Sequence, residues 1–127
     1  MLNVVVLIGL LARPAQDVEL PSGSRLLSLE VTVRREEGPA ETVPVAWFDA
    51  PAWATSLGAG SEVVVVGRVR RRFFRSGGTT QSRTEVVASR VARASAASRV
   101  RTLLNEAAAT IQDGSRRPAV AAEPAAD

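Results

Sequence analysis

Arg68, Arg70, Arg72 and Phe74 stand at alternate positions of one strand-like run, GRVRRRFF. Side chains two apart share a face of an extended chain, so this spacing aligns three guanidiniums and a benzyl ring. A guanidinium is permanently charged and forked, which suits phosphate oxygens, and an outward ring offers a stacking surface to a planar base. Arg75 and Arg83, around the turn that follows, and Arg34 and Arg35, closing an earlier strand-like run, extend the cationic set. In TVPVAWFD, Val43, Val45 and Trp47 alternate with Thr42, Pro44, Ala46 and Phe48. With the first set inward, Trp47 belongs to the core and Phe48 is a second outward ring.

The charge distribution points the same way. All 16 basic residues are Arg, and the net charge is +3. Residues 17–62 hold three Arg against eight acids (−5), whereas residues 63–101 hold ten Arg against Glu85 alone (+9). A concentrated cationic block implies a polyanionic partner. Blander accounts compete. Arg usage also follows coding bias, Arg70 to Arg72 also read as a solvated edge that discourages sheet aggregation, and Phe73 and Phe74 also read as rings packed beneath the hairpin or against a neighbouring subunit. An edge device needs only one or two charges, and this hairpin carries Arg68, Arg70, Arg71, Arg72, Arg75 and Arg83.

Enzyme chemistry lacks parts. With neither Cys nor His, thiol catalysis, disulfides, thiolate zinc sites and the commonest general base are excluded together. The carboxylate pairs Asp17/Glu19 and Glu36/Glu37 fall beside a turn and in a hairpin loop, where such groups are ordinarily solvated. GAGS (Gly58 to Ser61) is too short for a phosphate-binding loop. No enzymatic activity, metal or cofactor is expected.

These residues must be held by strands. Five are expected: Asn3 to Ala12, Arg25 to Arg35, Thr42 to Asp49, Glu62 to Phe74 and Ser82 to Ala92, with turns at Pro21 to Ser24, Glu36 to Glu41 and Arg75 to Ser82. In the fourth strand Val63, Val65, Gly67 and Val69 are read as interior. That strand is long enough to carry its hairpin beyond a small barrel. A short helix is expected between the third and fourth strands, capped by Asp49, with Pro51 in its first turn, Trp53 and Leu57 at i and i+4, and Gly58 ending it. Trp53, like Trp47, is read as core. The apolar start, MLNVVVLIGLLA, lacks a preceding positive charge, is too short to span a bilayer, and is rich in β-branched residues. It is read as a core strand of a cytoplasmic protein.

After residue 93 the pattern changes. Val100, Leu103, Leu104, Ala107, Ala108 and Ile111 form a helical stripe over 94–113, free to dock on its own barrel, pair between subunits or bind another protein. Residues 114–127, ending AAEPAAD, are Ala/Pro-rich and expected to be disordered. Residues 1–93 form the expected domain: an all-β, five-stranded Greek-key OB-fold barrel, followed by the amphipathic helix.

NVVVLIGLLA, the PSGS turn and its long alternating strand, GSEVVVVGRVRRRF and TEVVASRV together resemble bacterial single-stranded DNA-binding protein, over residues 2–93. The resemblance implies non-catalytic, sequence-tolerant binding of single-stranded DNA in replication, repair or recombination, by a nucleoid-associated protein that is usually a homotetramer. It also implies base stacking at the matching aromatic positions, Phe48 and Phe74. Two tryptophans common in the family are replaced by Glu37 and Thr42, and AAEPAAD lacks the acidic, apolar-tipped tail that recruits other enzymes. These departures fit a divergent or accessory paralogue with weaker affinity or a smaller site. An OB-fold adapter for an acidic protein and an RNA-binding OB-fold remain alternatives.

Overall fold

The alternating apolar residues do build strands, and the strands close into a barrel. The computed structural model describes residues 1–114; the tail from 115, with the expected disorder and the AAEPAAD end, lies outside the described residues. The elements are β1 (Val5–Leu11), β2 (Gln16–Glu19), β3 (Arg25–Val33), β4 (Glu41–Phe48), a 3-10 turn (Ala52–Ser56), β5 (Glu62–Ser76), β6 (Thr79–Arg93) and α1 (Ala97–Asp113). The sheet order is β1-β5-β6-β4-β3-β2, and an additional β1–β3 pairing closes the ring. β4 and β6 run parallel at Val45–Val86 and Ala46–Val87, and every other pairing is antiparallel. This is the expected OB-fold.

Three details differ from expectation. There are six strands, because the chain after Arg13-Pro14 resumes pairing along the other end of β3 as β2. QDVE is too short and too exposed to carry an apolar signal. On β2 Asp17 and Glu19 both pair with Arg25, at 2.6 and 3.4 Å, and the Asp17 hydrogen bond raises the guanidinium above its ordinary pKa. The helix between the third and fourth expected strands is only a 3-10 turn, N-capped by Pro51 without a side-chain bond. A segment that short cannot repay α-helix nucleation, and 3-10 geometry serves such pieces. Asp49 does not cap it and instead takes φ 54° at the end of β4. Finally, the turn expected over Arg75 to Ser82 shrinks to Gly77-Gly78, flanked by the Ser76–Thr79 pair. Both glycines have positive φ, 59° and 83°, as a two-residue hairpin loop of the I′ kind requires.

The core inside the barrel gathers Leu27, Leu29, Val31, Val45, Trp47, Val63, Val65 and Val86, with Leu57 from just after the 3-10 turn. Trp53 is half-buried, meeting Trp47 edge to face at 6.0 Å. A second cluster forms outside: Leu103 and Ala107 of α1 cover Val64 and Val66 of β5 and Ala92 of β6. The helix stripe therefore docks on its own barrel, leaving Leu104 and Ile111 exposed. The two clusters explain the continuous VVVV of β5, which is covered on both faces.

Candidate functional site

β5 and β6 leave the barrel as a ribbon. The β1 ladder reaches Gly67 on β5, and β4 pairs with β6 only at Val86 and Val87. Asn3 prolongs the first contact by one step: its side chain donates to the Val69 carbonyl at 2.8 Å and accepts from the Val69 N–H at 2.9 Å. From Arg70–Glu85 to Ser76–Thr79 the strands pair only with each other. Val69, expected inside, is 42% exposed because the barrel has ended there. Gly67 marks the departure. A bulge at Ser89 shifts the register between Val66 and Gly67, and a Cβ on Gly67 would collide with the Val87 carbonyl oxygen.

The front of this ribbon joins the outer face of β3 and β4. Glu85 lies opposite Arg70, buried but for 6% of its side chain. Arg70 donates to Oε2 of Glu85 through Nε at 2.9 Å and Nη2 at 2.7 Å, and its own side chain is only 10% exposed. Nε of Arg72 sits 3.5 Å from Oε1 of the same carboxylate, buried and without a hydrogen-bond partner among the described residues. Each guanidinium lies over a ring: Arg70 is 5.5 Å from the centroid of Phe48 and Arg72 is 5.3 Å from that of Phe74. Both rings are half-buried. Arg83, across from Arg72, reaches Glu30 of β3 at 3.4 Å. One carboxylate thus braces two cation–ring pairs on one surface, each pair stabilised by about 0.5–1 kcal/mol where exposed.

Of the residues singled out in the sequence, the fold brings together Phe48, Arg70, Arg72, Phe74 and Arg83. Arg68 is half-buried two positions before Arg70 on the same strand face. Arg75 is elsewhere. Because β5 continues through Ser76, Arg75 falls in phase with Arg71 and Phe73 on the reverse face, where Nη2 donates to the Gly78 carbonyl at 3.1 Å. Arg34 and Arg35 follow the end of β3, at least eight residues or about 26 Å along the strand from the Leu26–Phe48 pair. There Arg35 faces Glu41 at 3.6 Å. Glu37 is exposed in that hairpin loop, and Thr42 is exposed beside Thr32, with hydroxyls 3.1 Å apart.

Sequence reasoning missed Glu85 as the hub, having counted it only as a stray acid. The signal existed: pairing back residue by residue from a Gly77-Gly78 loop places Arg70 opposite Glu85. The front surface therefore balances Arg68, Arg70, Arg72 and Arg83 against Glu30 and Glu85, a smaller excess than the linear charge count implied. It can offer partly exposed guanidinium edges and ring surfaces to a flexible polyanion with planar groups. No three carboxylates gather as a metal site among the described residues.

Among protein-family models, that of the single-strand binding protein family matches residues 2–94. The comparison with curated proteins finds no match.

Proposed function

The chain belongs to the single-strand binding protein family, and we propose that it coats single-stranded DNA through the front of the β5–β6 ribbon. Single-stranded DNA binding and the absence of catalysis are general to the family. The particular contacts are this chain's. Phe48 and Phe74 stack bases, and Arg72 and Arg83 neutralise phosphates with the help of Arg68. Arg70 is spent mostly on Glu85 and acts by steadying Phe48. Arg75, Arg34 and Arg35 reach the strand only where it runs past the front surface. The observation that carries this reading is the pair of ring–guanidinium contacts braced by one buried carboxylate. Recognition is sequence-tolerant because every base has a π-face.

A homo-oligomer completes the reading, a tetramer by the family resemblance. Val6, Ile8 and Leu10 form an outward row on β1, 41%, 53% and 44% exposed, which a second subunit would cover favourably. Service in replication, repair or recombination in the cytoplasm follows from the ligand. No described helix is long and apolar enough to cross a membrane.

The test is a titration with oligo-dT, the matched RNA and duplex DNA at two salt concentrations. Three phosphates neutralised per subunit give a slope of log K against log salt near −2 for oligo-dT, with weaker binding of the other two. Preference for the ribose form would make this an RNA-binding protein. Indifference to every oligonucleotide would leave an adapter that meets an acidic protein through its Arg hairpin.

A further inference from the structure

The reverse face of the ribbon is unused by the site just described. Strand phase places Arg71, Phe73 and Arg75 there, opposite Thr84, Ser82 and Thr80, and all six are exposed. Phe73 is 66% exposed, far more than Phe74, and its nearest neighbours on that face are two cations and three small hydroxyl residues. None of the six is an acid, because Glu85 points to the front.

We infer that this reverse face is a second contact surface for the same nucleic-acid strand, with Phe73 stacking a base and Arg71 and Arg75 holding the phosphates on either side. The inference rests on the front-face reading and extends it. The chemistry resembles that of the front, guanidiniums and a ring at alternate positions, but here the ring lies between two guanidiniums and no carboxylate offsets the charge. The ribbon is narrow, its two strands about 4.8 Å apart, and consecutive residues present Phe74 to one side and Phe73 to the other. A flexible strand crossing the front can therefore turn over the ribbon edge and continue behind. A second copy of this chain is a poorer occupant. Its own Arg71 and Arg75 repel the same face, and the acids of its β2, β3 and β4, Asp17, Glu19, Glu30 and Glu41, are already paired with arginines.

The test compares oligo-dT of about 8 nucleotides, within the span of about 4–16 nucleotides that one OB domain covers, with oligo-dT of about 40, well beyond it. Phe73→Ala, at an exposed position, is expected to weaken binding of the long oligonucleotide about fivefold or more and to shorten the length each protein occludes. Binding of the short one stays at the wild-type level, whereas Phe74→Ala weakens both. The inference is overturned if Phe73→Ala leaves both lengths unchanged or weakens both alike. It is equally overturned if light scattering shows that Phe73→Ala reduces the assembled mass, since the ring then serves a protein contact. A wild-type protein that binds neither length would instead remove the front-face function itself.

Discussion

Glu85 shows how one residue can organise a site without presenting itself to a ligand. Taking a carboxylate and a guanidinium out of water is costly, so a buried pair contributes more to geometry than to net stability. Here the geometry is the orientation of Arg70 over Phe48 and of Arg72 beside Phe74. Deleting one partner is a different matter, because Arg70 would keep its burial and lose its counterion. Glu85→Ala is expected to lower the unfolding free energy by about 3–5 kcal/mol, read from urea denaturation; a loss well under 1 kcal/mol would show that the carboxylate is not the brace. The alternating Arg and Phe positions were legible because period 2 needs only the local sequence. Glu85 was missed, because its partner is set by cross-strand register, which emerges only when the strands are paired back from the Gly77-Gly78 turn. Val69 misled for a related reason: phase tells which face a residue takes, not whether the barrel still covers it.

Elements that rest on local pattern were likewise legible. The long β5 and the α1 stripe each followed from apolar spacing, and the docking of α1 was one of three destinations open to it; the cover on both faces of VVVV shows only once α1 is docked. β2 was not legible, because its four residues are all exposed and gain their place from β3. The 3-10 turn defeated the helix expectation through length alone. The departure of the ribbon from the barrel depends on Gly67, which has no room for a side chain against Val87. Gly67→Ala is expected to destabilise the fold by about 1–3 kcal/mol, the usual range for overpacking, and to weaken oligonucleotide binding by tilting the ribbon. Thermal unfolding and titration of the same sample would check both, and a variant unchanged in both would show that β6 yields there freely.

Across the described residues, the barrel supplies a base, α1 seals one outer face, and β1 leaves the apolar row Val6, Ile8 and Leu10 exposed. Charge is divided so that several acids of residues 17–62 are occupied by local arginines, while the exposed cations of the ribbon remain for a polyanion. Between the carboxylates and the guanidiniums no side chain of this chain titrates, since it has no His, Cys, Lys or Tyr. Binding of oligo-dT is therefore expected to be flat from about pH 6 to about pH 8.5 at fixed salt, and a sigmoidal change of tenfold or more within that range would contradict it. The most direct measurement is a salt series of oligo-dT titrations on the wild-type protein, Phe48→Ala and Phe74→Ala. Each variant should fold normally and lose about 1–3 kcal/mol of binding free energy while keeping the wild-type salt slope, because ring overlap carries no counterion release. Two folded variants that bind oligo-dT as tightly as the wild type would contradict the account.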